Sequence, residues 1–384
     1  LFVERKNKDM QILIACDSFK DALNALEVCQ AIARGWREAW SDSQLVLFPL
    51  ADGGEGTAQI LTYHSGGQWV ERTVRGPLFQ PVNAAYGLSG DGKTAYIEMA
   101  AAAGLPLLRP AARDPLKTTT YGLGELIMDA VEGGAERILL GIGGSATNDA
   151  GLGMATALGY RFLDEQGEGL LPIGANLSKI KHIDRSQARI EPGAIAVEVL
   201  CDVRNPLYGP QGAAQVYAPQ KGADPAAVRL LDDGLRHFAG LLESAFGRDF
   251  ASVPGAGAAG GLGAGAMAFL GATLRPGIEA VMALTGFEAE LQQAQLVITG
   301  EGKLDAQTAQ GKLIQGIARQ AKAAGVPVIA LCGAVAATPA EIAALGLQAA
   351  FSIQTRPASL PEALDATAEN LEQAAFNLAR VLAG

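Results

Sequence analysis

The chain is poor in groups that bind soft metals, membranes or nucleic acids. Only three of its 384 residues are histidines, His64, His182 and His237, and they stand far apart. That spacing argues against a histidine-built zinc site. The four cysteines, Cys16, Cys29, Cys201 and Cys332, form no CxxC pair, the pattern expected of a reduced, cytoplasmic chain. Lys and Arg number 30 against 40 Asp and Glu, a formal charge of −10. The basic excess that would neutralise nucleic-acid phosphates is missing. A small anionic substrate stays compatible, because a local pocket decides that. Long hydrophobic runs are missing too. The one uncharged stretch of spanning length, Phe250 to Leu274, is mostly Gly and Ala, with Leu262, Phe269 and Leu270 among its few large apolar residues. No membrane span is predicted from it. Residues 1–9 (LFVERKNKD) are polar and charged; they carry no secretory signal and read as an upstream extension before Met10.

What the chain does have is 49% apolar residues, only 6% of all residues aromatic, and 48 glycines. This composition predicts an α/β enzyme of two domains, or three, built from Ala, Leu, Val and Gly. The most informative stretch is RILLGIGGSATNDAG, Arg137 to Gly151. Ile138, Leu139, Leu140 and Ile142 form a run short enough for a buried strand. Gly141, Gly143 and Gly144 break it, hydroxyl and amide side chains follow, and GLGMATALG has helical character. A strand, a glycine turn and a helix N-terminus together predict an anion site, since backbone N–H groups point outward and the glycines let a phosphate come close.

Other elements follow in chain order. Ile12–Ala15 is a first strand, with Asp17-Ser-Phe-Lys20 beyond it. Asn24 and Glu27 have capping-box spacing before a helix to about Trp40. The strand Leu45–Leu50 delivers Asp52-Gly-Gly-Glu-Gly-Thr57. Loops at the carboxyl ends of parallel strands line the ligand crevice of an open sheet, so both acidic loops are expected to face one cleft. GLSGDGKT, Gly87 to Thr94, matches the P-loop pattern, but Thr94–Met99 reads as a strand and Asp91-Gly92 as a hairpin turn. A hairpin is expected, and no phosphate loop. Glu198–Val203 ends a strand before CDVRNPL, and a second glycine turn, PGAGAAGG, runs from Pro254 to Gly261. Leu296–Thr299 leads into Gly300-Glu-Gly-Lys-Leu-Asp305. Near the C-terminus Leu360, Leu364, Ala368, Leu371, Ala375, Leu378 and Leu382 have the spacing of one core-facing helix. The boundaries expected are 10–66 with 285–384 for a discontinuous α/β domain, and 67–284 for an inserted α/β domain carrying an antiparallel ribbon and the glycine-rich loops.

ACDSFKDALNALEV, PLADGGEGT, GDGKTAYIEMAAAAGL, GIGGSATNDAGLGM, CDVRNPL, PQKG, PGAGAAGGLGA and TGEGKLD occur in order from about Met10 onward. Together they resemble the bacterial glycerate kinase family, type I. Cys16 stands where that family commonly has proline. The resemblance implies a flavodoxin-like parallel-sheet domain joined to a mixed, restriction-endonuclease-like one, distinct from P-loop kinases. It also implies transfer of the ATP γ-phosphoryl group to D-glycerate, usually at the 2-hydroxyl.

Phosphoryl transfer needs positioning and charge neutralisation above all. Gly143, Gly144, Ser145, Thr147 and Asn148 are the first candidates to cradle ATP, with Gly257, Gly260 and Gly261 second. Mg²⁺ prefers one or two carboxylates with phosphate oxygens and water, for which Glu301 and Asp305 fit, with Asp52 and Glu55 as rivals or as substrate contacts beside Ser18. Lys20, Lys221 and Lys303 could meet the glycerate carboxylate or the moving phosphoryl group. Asp17 and Asp202 could orient or deprotonate the attacking hydroxyl.

Three alternatives keep weight at this level. Gly141 to Ala146 fits the dinucleotide fingerprint GxGxxA, with Asp164 placed 23 residues on as a ribose-binding acid; that predicts an NAD-dependent dehydrogenase. A non-enzymatic binder of small anions is the second. The third is the same kinase with 3-phosphoglycerate as product or another small hydroxy acid as acceptor. The sequence leaves oligomeric state open.

Overall fold

In the computed structural model, which describes residues 10–305 and 313–383, the chain forms two compact units. The first takes the chain up to Asp52 together with Ile278–Gly384, and the second is Gly53–Gly277. The expected upstream extension lies outside the described residues. Both crossings fall earlier than the expected 66/67 and 284/285. The helix Thr57–His64 explains the first shift. It buries Ala58, Ile60, Leu61 and Thr62, and it lies so close to the strand Pro81–Leu88 that a Cβ on Gly87 would sit 1.7 Å from the Thr62 hydroxyl. At the other crossing, Ile278 and Met282 pack on the helix Leu313–Ala324, where a Cβ on Gly316 would meet them at 2.9 and 3.3 Å.

The first unit is built on a five-stranded sheet, ordered Ala349–Ser352, Val328–Cys332, Leu296–Thr299, Gln11–Ile14, Gln44–Leu47, with every pair parallel. Numbered within the unit, the order is 2-1-3-4-5. Gln11–Ile14, Leu296–Thr299 and Val328–Cys332 are buried along their whole length, as expected of parallel strands covered on both faces. Asn24 and Glu27 do form a capping box, opening the helix Ala25–Ala39. Gly35 in that helix allows close contact with the C-terminal helix, since a Cβ there would meet the Glu372 carbonyl oxygen at 1.9 Å. The C-terminal apolar stripe is two helices, Leu360–Asp365 and Thr367–Ala383, divided at Ala366. Leu371 and Ala375 are buried as expected, whereas Leu360 is 72% exposed. It belongs to a separately capped turn, with Ser359 and Glu362 as its capping box, so the stripe's phase is lost there.

The second unit holds a six-stranded mixed sheet. Thr273–Arg275, Ala196–Leu200, Arg137–Gly141 and Thr94–Glu98 run parallel, and Pro81–Leu88 and Gln68–Arg75 extend it antiparallel. GLSGDGKT is the hairpin between Pro81–Leu88 and Thr94–Glu98. Gly92 has φ +73°, and the Asp91 carboxylate accepts from the Ser89 hydroxyl and the Lys93 N–H. Lys93 pairs with Glu136 while both side chains stay largely exposed, an arrangement of little energetic weight. Lys93→Ala is therefore expected to leave turnover within about twofold of wild type and stability within about 0.5 kcal/mol, read by steady-state kinetics and urea unfolding.

The dinucleotide reading fails on topology. The strand Arg137–Gly141 has Thr94–Glu98 and Ala196–Leu200 as neighbours. Arg161–Leu163, which would have carried the ribose-binding acid, pairs instead with His182–Asp184 in a separate ribbon. Asp164 accepts from the N–H groups of Gln166 and Glu168 and so closes a turn. The helix Ala258–Leu270 buries almost every residue within this unit. Among the described residues no helix is long and apolar enough to cross a membrane.

Candidate functional site

In the first unit the acidic loops gather at the carboxyl ends of three adjacent strands. The chain stays paired just past the strand ends: the Asp17 N–H donates to the Gly300 carbonyl at 3.0 Å, and the Leu50 N–H to the Cys16 carbonyl at 3.0 Å. Asp17, Asp52 and Glu301 thus leave neighbouring strands at one edge. The Asp17 carboxylate accepts from the Ser18 N–H at 2.7 Å. Desolvation, together with the charges of Asp52 and Glu301, pushes its carboxyl up to about 7 against the opposing hydrogen bond from Ser18. Glu301 is 9% exposed. Lys303 pairs with Asp305 at 3.0 Å, and Lys20 is exposed. Glu55, also exposed, lies beyond the crossing in the second unit. Among the described residues no three carboxylate, imidazole or thiol groups stand close enough to hold a metal by themselves.

Asp202 belongs to the second unit, where it is exposed and accepts from the Gly277 N–H at 2.8 Å. It holds the chain where the strand Thr273–Arg275 turns into the next helix.

The glycine turn after Arg137–Gly141 differs from the expected helix-end cradle. The helix it feeds, Leu152–Ala157, has six residues. Its first N–H groups are already taken: the wholly buried Asp149 carboxylate accepts from the N–H groups of Gly151 and Gly153, and from the N–H and hydroxyl of Thr120. Burial raises the Asp149 carboxyl, and those four donors oppose the rise. The helix after DGGEG is closed in the same way. Glu98 accepts from the Ala58 N–H at 2.8 Å; burial raises its carboxyl, while the N–H groups of Ala58, Gly56 and Thr57 lower it. At both helix starts a carboxylate of the protein accepts from the first N–H groups, and at Leu152–Ala157 it takes the place expected for a phosphate.

What stays open lies upstream. Gly143 and Gly144 are exposed, and a Cβ on Gly143 would meet only the Gly54 backbone, at 3.8 Å. Thr147 and Asn148 are fully buried, yet the Thr147 hydroxyl and both polar atoms of the Asn148 amide have no hydrogen-bond partner among the described residues. Such orphaned groups are rare in folded proteins and mark places where a bound molecule or water completes the bonding.

The place expected for Lys221 is a polar loop facing a ligand. Instead it is 1% exposed, and its ammonium donates to the Ser145 hydroxyl and the Thr147 carbonyl, each at 2.7 Å. Burial pushes it down to about 7, and the Asp149 charge holds it up. Lys221 therefore ties both flanks of the turn from inside, and Ser145 is committed to that tie.

The second glycine turn is also explained by packing. Ala259, Gly260 and Gly261 have left-handed backbone angles in succession. A Cβ on Gly260 would fall 2.1 Å from the Thr147 carbonyl oxygen, one on Gly257 2.2 Å from the Pro206 carbonyl oxygen, and one on Gly261 2.8 Å from Leu207. The Ala150 N–H donates to the Gly260 carbonyl at 3.0 Å. These glycines let PGAGAAGG lie directly against residues 147–150. Ala150 and Ala259, both at φ +52°, carry the strain of that contact, a conformation that costs about 1–2 kcal/mol for a residue with a Cβ.

Residue-level reading missed Glu98. Its signal was the one that singled out Asp17, an acid closing a buried strand, but its place in the rejected P-loop segment drew attention to Lys93 instead.

Comparison with known proteins bears on the whole chain. Residues 12–383 match the model of the glycerate kinase family. A glycerate kinase of Halalkalibacterium halodurans is 49% identical over 370 residues, 96% of this chain and 97% of that protein. The glycerate 2-kinase of Escherichia coli K12 is 46% identical over 374 residues, 97% and 98% of the two chains. A crystal structure from Salmonella typhimurium LT2, assigned there as a candidate glycerate kinase 2, superposes with a TM-score of 0.89 at 47% identity, covering 97% of this chain and 98% of its own.

Proposed function

This chain belongs to the glycerate kinase family, and from that premise we propose that it transfers the γ-phosphoryl group of ATP, with Mg²⁺, to the 2-hydroxyl of D-glycerate. The observation that carries the reading is the gathering of Asp17, Asp52 and Glu301 at the carboxyl ends of adjacent parallel strands, with the Asp17 carboxyl poised near 7. A general base works best with an acidity near the operating pH.

In this proposal Asp17, once ionised, accepts the proton of the attacking hydroxyl. The glycerate oxygen then bonds to the γ-phosphorus as the bond to the β-phosphate oxygen breaks. Ser18 orients Asp17 through its N–H. Glu301 and Asp305 would hold Mg²⁺, which neutralises phosphate charge when bound; two oxygen donors suit an ion that keeps phosphate oxygens and water as its other ligands. Lys303, paired with Asp305, and the exposed Lys20 would balance anionic charge on substrate. For ATP, the open backbone at Gly143 and Gly144 and the unpartnered polar groups of Thr147 and Asn148 support the choice of this turn. Lys221 and Asp149 act behind it as positioning residues. The 2-1-3-4-5 order supports a flavodoxin-like assignment of the first unit, and the mixed sheet is compatible with a restriction-endonuclease-like second.

Phosphorus NMR of the purified protein with ATP, Mg²⁺ and D-glycerate tests the reading. A 2-phosphoglycerate resonance that fails to form without Mg²⁺ is expected. A 3-phosphoglycerate resonance would move the attack to the other hydroxyl, and ADP formation that does not depend on D-glycerate would overturn the acceptor.

A further inference from the structure

The second unit contains a cavity of about 420 Å³ whose walls come from residues 111–117 and 222–227, with Leu78 on one side. None of its lining residues takes part in the proposed phosphoryl transfer. The volume suits a small organic ligand. Leu78, Ala111, Ala112 and Ala227 supply apolar wall, and Arg113 and Lys117 supply positive charge.

The formal charges of this cavity balance, with Arg113 and Lys117 against Asp114 and Asp224, but its two cations are not equally partnered. Two acids line it, and both are committed. Asp114 pairs with Lys117 at 2.9 Å and accepts from the Leu116 N–H. Asp224 caps the long helix Pro225–Phe246, accepting from the N–H groups of Ala226 and Ala227. Arg113 has no ion-pair partner among the described residues, and its Nε is buried without a hydrogen-bond acceptor. The Nε itself is closed off, so an oxyanion in the cavity would meet the two terminal nitrogens, whose planar spacing suits two carboxylate or phosphate oxygens at once.

The walls are fixed to the glycine turn. Gly222, at φ +98°, lies against the Arg113 backbone, where a Cβ would meet the Arg113 carbonyl oxygen at 2.2 Å. The adjacent Lys221 holds Ser145 and Thr147. Directly after the lining residue Lys117, the Thr118 hydroxyl donates to the Ala146 carbonyl at 2.9 Å. The cavity is therefore pre-formed by backbone contacts.

We propose that this cavity is a second ligand site, which takes a small organic acid with its carboxylate or phosphate on Arg113 and its carbon skeleton against the alanine and leucine wall. The site is independent of the phosphoryl-transfer reading, since it uses no residue assigned there.

Modification by phenylglyoxal, followed peptide by peptide with mass spectrometry on the full-length protein, tests it. Arg109, four residues away and exposed, serves as internal reference. Inorganic phosphate and butyrate are the probes, one for each oxyanion chemistry. At about ten times its dissociation constant, a probe that occupies the site should slow modification of Arg113 about tenfold relative to Arg109. Protection by phosphate alone assigns a phosphate ligand, and protection by butyrate assigns a carboxylate. No selective protection by either, or equal protection by chloride at the same ionic strength, overturns the proposal. Calorimetric titration with the protective probe gives a second reading: Arg113→Gln should lose one binding event that Arg113→Lys retains in weakened form. An unchanged isotherm in Arg113→Gln also overturns it.

Discussion

Asp17→Asn is expected to lower kcat by about 10²- to 10⁴-fold, the usual contribution of a positioned general base, with a much smaller change in the KM for ATP. The carboxyl at about 7 makes the test sharper. In the wild type the ionised fraction grows as pH rises through 7, so kcat should climb on the acid side and level off above it; the variant should lose that limb. Stability should move the other way. The folded-state value lies above the ordinary 3.8, so the folded protein binds this proton more tightly than the unfolded chain between those two values. Stability therefore falls as pH rises from about 4 to about 7 and stays lower above. Asn at this position removes the cost of ionising a desolvated acid between two like charges. Asp17→Asn should thus be more stable than wild type at pH 8 and closer to it at pH 5, as measured by urea unfolding. An active, pH-insensitive variant would remove Asp17 from the chemistry.

Gly260→Ala is expected to be severe for a different reason. Its φ is +70°, and the new methyl would sit 2.1 Å from the Thr147 carbonyl oxygen and 2.6 Å from the Asn148 Cα. Backbone strain of about 1–2 kcal/mol adds to overpacking of about 1–3 kcal/mol, and the atoms that must yield are backbone. A loss of about 2–5 kcal/mol follows, with a fall in Tm of about 10 °C for a unit of this size. Gly167→Ala supplies the contrast. Gly167 also has positive φ, at +81°, but nothing lies within 4 Å of its Cβ position, so only the strain term applies. If the two variants melted together, the close approach of PGAGAAGG to the 147–150 backbone would not be what fixes Gly260. Activity should fall with Gly260→Ala as well, because Thr147 and Asn148 are the residues displaced.

The two variants probe different levels of legibility. Asp17 could be picked out from the chain alone because an acid directly after a buried apolar strand is a local pattern, and parallel topology puts such positions on one edge. The same logic places the Asp17 and Asp52 loops at one cleft, whereas the position of Glu301 beside them comes from the pairing of Gln11–Ile14 with Leu296–Thr299. The capping boxes at Asn24, Thr338 and Ser359 and the hairpin at Asp91-Gly92 were equally readable, since each depends on residues within three or four positions of one another.

The glycine stretches were not readable in that way. Pro254–Gly261 and Gly141–Gly144 look alike as strings, yet Gly143 and Gly144 face solvent and Gly257, Gly260 and Gly261 face backbone. Glycine says only that something must come close; whether that is a ligand or another stretch of chain depends on residues distant in the sequence, such as Pro206, Leu207 and Thr147. Lys221 shows the same limit. A lysine beside glycine in a polar segment reads as a solvent-facing cation, and only the folded unit brings Ser145 and Thr147 to its ammonium.

The sequence by itself determined the α/β class, the strands with their short-range caps and turns, the acids that close the strands, and, through motifs spread over the chain, the family. These follow from local periodicity and from hydrogen bonds between near neighbours. Only the tertiary structure decided that Glu98 and Asp149 close the two helix starts, that Lys221 is an internal strut, that PGAGAAGG is a packing surface, and that Asp164 lies outside the main sheet. Each of those depends on which distant backbone or charge fills the space beside a residue, and that is set by how the sheets and helices pack.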